Sequence, residues 1–327
     1  MDSPAPTQLR IRAQALPHDP LNTTLHEGAR LGLLGIQPHT RRRNRMNGTA
    51  HLRDDGLLVE VGQSFGNCPK YIQAREPVWS PGAPGGEVAH QGPGLDEASR
   101  ELIRAADTFF IATAHPDAAA AAGEPRHGVD VSHRGGAPGF VKVEGQRLTV
   151  PDFPGNQFFN TLGNIAVHPL AGLLFMDFER GDLLYLAARA SVVWDGPELA
   201  AFAGAQRLLR LDVTQVLRVQ GGLPLEIIQF ALLNAPGKRQ ITVKLDLRAA
   251  LNLGQVMAQV DHQSGWQRQG IFAVLVVVRD VRTGLLSAGC QLVGVVVAKL
   301  GQTGCLGFGA VGRILNHHAF TGLVGDQ

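Results

Sequence analysis

The sequence predicts a mainly β protein, a β-barrel or sandwich with few helices, carried in two tandem copies of which the first is incomplete. Three observations support this. Short apolar stretches recur between Pro, Gly, Asn and Asp, the composition of strands and their turns. Helical periodicity shows in only a few places. The chain also repeats itself: at an offset of 140 residues, Gly32, Leu33, Leu34, Ala50, Asp55 and Gly56 recur as Gly172, Leu173, Leu174, Ala190, Asp195 and Gly196. The identities are few, but their order, a GLL strand followed by a second strand ending in DG, matches at the level of structure.

In chain order, strands are expected at 9–13, 31–36, 47–52 and 57–61. Within the stretch SFGNCPKYIQAREP (64–77) a short helix is expected to start at Pro69, which has the φ a first turn needs and lacks only an N–H that would be unpaired there. Residues 79–94, WSPGAPGGEVAHQGPG, have the composition of a linker. A helix opens at Asp96 or Glu97 with Ala98, Leu102, Ile103 and Ala106 on one face, and leads into a strand at 109–114. Further strands follow at 128–132, 139–143, 147–150, 171–178, 183–194 and 209–219, with helices at 157–167 and 197–208. The second copy has about 70 residues ahead of its GLL strand and the first only 31, so the first copy is expected to lack its N-terminal half, through a start further upstream or a broken gene product.

At 327 residues and 44% hydrophobic, the chain has material for two domains. A net charge of +2 supports no electrostatic case for nucleic acid or a membrane surface. The basic run Arg41, Arg42, Arg43, Arg45 is the local exception, read as a solvated strand face or as a contact with a ligand or partner domain. Cys68, Cys290 and Cys305 form no CxxC pair, which fits neither a disulfide framework nor a zinc site and suits a reducing cytoplasm. No apolar run has the length of a membrane span. The expectation is a cytoplasmic protein without nucleic-acid or membrane partners and without a metal. His317 and His318 are adjacent and lack a third ligand. The GFGAVG at 307–312 has a dinucleotide fingerprint's spacing, but only 15 residues follow it, too few for the βαβ unit that motif needs.

Two places invite chemistry. Cys68, at the N-cap of the expected helix, would face unpaired N–H groups that favour a thiolate; a free cysteine is more often a small buried hydrophobe. The segment 130–175 carries Arg134 and Lys142 on and around a strand between glycine turns, then PGN and a helix with Asn156, Asn160, Thr161 and Asn164. Amides at a helix start beside basic side chains suit a phosphate. Equally, Asn156 is a simple helix cap and the others are solvated polar residues.

The stretches RGGAPGFVKV, PDFPGN, FNTLGN and GLLFMDFERGDLLYLAARA resemble the FMN-binding split-barrel proteins related to pyridoxamine 5′-phosphate oxidase. SFGNCPKYIQAREPVW is similar to the cysteine-proline-lysine helix that follows the barrel in such proteins, and HTRRRNRMNGTA to their second-strand segment. Closest is the tandem subgroup in which two such domains precede a ferredoxin-reductase-like part, which is absent here. The resemblance divides the chain into 1–79, the C-terminal half of a first split barrel; 80–95, a linker; 96–225, the second split barrel; and 226–327, a tail without resemblance. It implies a six-stranded split β-barrel of Greek-key type that binds FMN non-covalently, with Arg134, Phe140, Val141 and Lys142 along the flavin and ribityl chain and Asn156, Asn160, Thr161 and Asn164 around the phosphate. Arg43, Asn44 and Asn47 of the first copy would approach across an interface, in a homodimer or in a pseudo-dimer within one chain. Phe158 stands where some members carry an arginine. The implied activity is that of an oxidoreductase passing hydride or electrons through FMN, with a small-molecule substrate or an electron-donor reductase as partner. The alternatives are a non-catalytic flavin-binding or interaction module, a truncated remnant, and, more remotely, a haem-handling relative. No residue stands out as an obligatory acid or base, so the catalytic residues stay unassigned.

Overall fold

The computed structural model describes residues 1–66, 68–79, 85–118, 128–223, 225–228, 271–278 and 292–299. The GFGAVG segment, the His317–His318 pair, Cys290 and Cys305 lie outside them.

The second barrel is built from β6 (Glu87–Gly92), α2 (Glu97–Ala105), β7 (Thr108–Ala114), β8 (Val129–Gly135), β9 (Lys142–Glu144), β10 (Arg147–Asp152), α3 (Asn160–Val167), β11 (Leu170–Met176), β12 (Leu183–Val193) and β13 (Arg207–Gln220). The strands are antiparallel in the order β8-β7-β11-β12-β13-β10-β9, and β6 also pairs with β13. Alternation within each strand sends one face inward: Phe109 and Ile111, Leu173 and Phe175, Leu184 and Leu186, Leu209 and Leu211 form the barrel core, which Ile103 of α2 and Leu162 and Ile165 of α3 complete. Asp96 caps α2, accepting from the Ser99 N–H at 2.8 Å.

The first sheet contains β1 (Gln8–Ile11), β2 (Arg30–Gln37), β3 (Arg42–Arg53) and β4 (Gly56–Gly66), preceded between β1 and β2 by the one-turn helix α1 (Leu21–Thr24). β5 (Glu76–Trp79) pairs with β14 (Leu225–Ile228). Two strands from far down the chain, β15 (Ile271–Val278) and β16 (Leu292–Lys299), extend the first sheet, giving β1-β4-β3-β2-β15-β16.

This order is the order β10-β13-β12-β11-β7-β8 of the second barrel, and the registers agree. Leu33 faces Val276 as Leu173 faces Ile111. Ala50 faces Val59 as Ala190 faces Leu211. The β-bulge between Asn47 and Gly48 recurs at the same place, between Ala187 and Ala188. At Gly48 a Cβ would fall 2.2 Å from the Glu60 carbonyl oxygen, so this copy of the bulge has no room for a side chain, whereas the other copy carries Ala188. The hairpin β15–β16 thus sits in the first sheet where β7–β8 sits in the second barrel, but reaches it from the opposite end of the chain.

The outer faces of the two units meet in a second apolar cluster with Leu34, Phe110, Val131, Leu174, Leu183, Tyr185 and Val219. Leu34 and Leu174, equivalent in the repeat, share this cluster, as a pseudo-twofold arrangement demands. Strands β7, β11 and the start of β12 are therefore buried on both faces.

Several local expectations differ from the structure. No helix follows Pro69. Tyr71 adopts φ 65°, which ends any helical turn; its ring stacks on Phe153 at 5.7 Å and its hydroxyl donates to the Pro154 carbonyl at 3.0 Å. Contacts with the other barrel override the local preference of Pro69. The expected helix at 197–208 is a single 3-10 turn, Leu199–Ala201, because Arg207 and Leu208 are drawn into pairing with Asp152 and Pro151. Of the expected linker, Glu87–Gly92 is an edge strand on the far half of β13.

Candidate functional site

A cavity of about 80 Å³ lies where β3 and the turn after β4 meet β8 and the loop after β10. Its basic side chains come from both units: Arg43, Arg45 and Lys70 from the first, Arg134 from the second. Phe140, Phe153 and Phe158 supply apolar wall.

The charges are not equally available. Arg45, 6% exposed, is neutralised: its Nη1 donates to Asp130 Oδ1 at 2.7 Å and its Nη2 to the Ser132 hydroxyl at 2.8 Å. Asp130 also accepts from the Thr161 hydroxyl at 2.6 Å, so one buried carboxylate ties β3, β8 and α3 together. Arg134 pairs with Asp152, which Arg207 shares. Arg43 differs, because its Nε and Nη1 are buried without a hydrogen-bond partner among the described residues. Burial, then the neighbouring guanidinium of Arg45, pulls its pKa down to about 10, partly offset by Cys68. An arginine destabilised in its charged form and still cationic at neutral pH is a site for an anion.

His133 lies beside it, 5% exposed, with neither ring nitrogen hydrogen-bonded among the described residues and its ring edge-on to Phe110. Burial first, then Arg43, Arg75, Arg134 and Arg45, hold its pKa well below the usual histidine value. The ring is neutral at pH 7 and has an N–H to donate.

The backbone makes the close approach possible. A Cβ on Gly135 would lie 2.2 Å from the Tyr71 carbonyl oxygen, so the turn that carries Cys68 and Lys70 can reach β8 only over a glycine. That turn is held by Lys70 N–H donating to Cys68 Sγ at 3.4 Å, by Tyr71 against Phe153, and by Arg75 on both Asp107 oxygens at 2.5 Å.

The residues singled out in the sequence fall into two groups. Arg43, Arg134, Phe140 and Asn156 line the cavity. Asn156 Oδ1 accepts from the Phe158 N–H at 3.2 Å in a local turn ahead of α3. The others are engaged elsewhere: Val141 is in the barrel core, Lys142 is exposed and paired with Glu144, Asn47 donates to Gln63, and Asn164 donates to Thr113 and to the Gly128 carbonyl. Thr161 is committed to Asp130, and Asn160 is exposed at the start of α3. Sequence reasoning missed His133, although it sits beside Arg134 just before the Gly-Gly turn. It also missed Asp130, whose partner Arg45 is 85 residues away and leaves no local signal.

Among the described residues, no three or more His, Cys, Asp or Glu are grouped to hold a metal ion, and no helix is long and apolar enough to cross a membrane.

An antiparallel barrel left open between β8 and β9, with a helix across its core and a basic cavity against a second such sheet, defines a split β-barrel module. Residues 95–220 match the family model described as pyridoxamine 5′-phosphate oxidase. Among solved structures, a putative pyridoxamine 5′-phosphate oxidase from Lactobacillus delbrueckii aligns at 16% identity and TM-score 0.31, over 40% of this chain and 98% of its own. HupZ from Group A Streptococcus aligns at 12% identity and TM-score 0.29, over 37% and 91%. A variant of it aligns at 12% and 0.30, over 38% and 98%. No curated protein matches the chain.

Proposed function

We propose that the protein is an FMN-binding flavoprotein, an oxidoreductase of the pyridoxamine 5′-phosphate oxidase-like class. The observation that supports this most is the pair of unsatisfied groups, Arg43 and His133, facing a phosphate-sized cavity beside a barrel of that family. Orphaned buried donors are costly, and a phosphate would satisfy them. FMN fits the residues present in a definite way. Its phosphate would be held by Arg43, Arg134, His133 and Asn156. Its larger ring system would lie outside the 80 Å³ cavity, where the 57% exposed Phe158 offers an apolar surface. When bound, the isoalloxazine supplies the hydride or electron acceptance, and the chain's residues bind, orient and screen it.

The test is a visible spectrum of the purified chain with added FMN, followed by NADH or NADPH. Bound flavin that bleaches supports the oxidoreductase; bound flavin that does not bleach reduces the reading to a flavin-binding module. Failure to bind FMN at all overturns it. Cys68→Ser is expected to retain both flavin and turnover, and loss of turnover with flavin retained would make the thiol catalytic.

A further inference from the structure

Because the two sheets agree in register, every feature of one unit has a counterpart position in the other. Arg45 on β3, opposite Phe65, corresponds to Tyr185 on β12, opposite Leu217. Both side chains reach into the other unit: Arg45 to Asp130 and Ser132, Tyr185 to Asp19 Oδ2 at 2.9 Å. Each position also borders a cavity. Arg45 lines the basic one, and Tyr185 lines another of about 300 Å³.

The two cavities are chemically unlike. At the positions of Arg43 and Arg45, β12 carries Leu183 and Tyr185, and Tyr185 lines the second cavity. The segment 18–23 borders it and contributes Asp19, a carboxylate only 2% exposed, which a phosphate would have to approach.

We propose that each chain takes a single phosphate monoester, at the composite cavity to which the first unit gives Arg43 and the second Arg134 and His133. The counterpart position, apolar and acidic, takes none. The proposal rests on the flavin reading only for the identity of the ligand, and its asymmetry follows from the register. A homodimer of identical barrels would carry two equal sites; the tandem chain has kept the basic chemistry on one side of its pseudo-twofold axis.

The test is a calorimetric titration of the full chain with FMN, with riboflavin as the phosphate-free comparison, and with orthophosphate followed by phosphorus NMR. One FMN per chain is expected, with Arg43→Met weakening it about tenfold or more, as loss of a charge-assisted hydrogen bond implies. Riboflavin affinity should stay within about twofold, and Arg43→Lys should recover most of the FMN affinity. Two FMN per chain, or unchanged FMN affinity in a folded Arg43→Met protein, overturns the single composite site while leaving the flavin reading intact. If FMN does not bind but one orthophosphate does, and Arg43→Met abolishes it, the flavin reading falls and the site stands. Binding of neither overturns both.

Discussion

Removing the Asp130 carboxylate should loosen the junction between the two units. In Asp130→Ala, the Arg45 guanidinium, 6% exposed, stays behind without its counter-ion, and the Thr161 hydroxyl loses its acceptor. Breaking one side of a buried ion pair costs about 3–5 kcal/mol, and an orphaned hydroxyl adds about 1 kcal/mol. Against a typical stability of about 5–15 kcal/mol, that is a large share. Replacing both partners with apolar residues, Arg45→Met with Asp130→Leu, removes the buried charge and should return stability to within about 2 kcal/mol of the parent. Equilibrium urea unfolding followed by tryptophan fluorescence on the parent, Arg45→Met, Asp130→Leu and the double variant closes the cycle. A coupling of about 2 kcal/mol or more is expected. If the single effects simply add, within about 0.5 kcal/mol, the pair is not coupled and Asp130 does not bind the units together.

Acidification should weaken the fold in two stages. The folded-state pKa of His133 is depressed, so the unfolded chain takes up the proton first, and stability falls as pH drops below the ordinary value of 6.5. Burial alone would raise the Asp96 pKa, but its hydrogen bonds to Ser99 and Arg218 outweigh that and lower it to about 2 from 3.8, so its contribution is present above about pH 4 and fades as pH falls toward 2. With Asp96 partly exposed, screening leaves that contribution at about 1–2 kcal/mol, and Asp96→Asn should flatten the lower stage alone in urea midpoints measured against pH. Gly135→Ala would set a methyl against the Tyr71 carbonyl and push the Cys68–Lys70 turn off β8, costing about 1–3 kcal/mol in urea unfolding; an unchanged midpoint would mean the turn adjusts freely.

The mainly β class and most strands were legible because their boundaries are marked by turn residues, which act locally. The repeat was legible too, and its register shows in the shared bulge. The two missed helices share one cause. Pro69 and Pro197 are good local starts, but Tyr71 is pinned on Phe153 and Arg207 is taken by β10, and both contacts join residues far apart in sequence. The runs FFIATA and LLFM are strands as expected, and the double burial of β7 and β11 explains why they are unbroken apolar rather than alternating.

The candidate site was half legible for the same reason. Arg43, Arg134, Phe140 and Asn156 announce themselves by type and by neighbouring glycines, whereas which charges are spent and which are free depends on pairing across the interface. Arg43 and Arg45 stand two apart on β3 with the same formal charge, yet Asp130 takes the Nη1 of Arg45 while the Nη1 of Arg43 is buried without a partner among the described residues. Nothing in the run RRRNR distinguishes them. The distinction arises only when β8 of the second barrel sets a carboxylate opposite one arginine and a buried imidazole near the other. The proposed anion site is therefore a property of the paired units, and a change that separates them at Asp130, which does not line the cavity, should weaken phosphate binding.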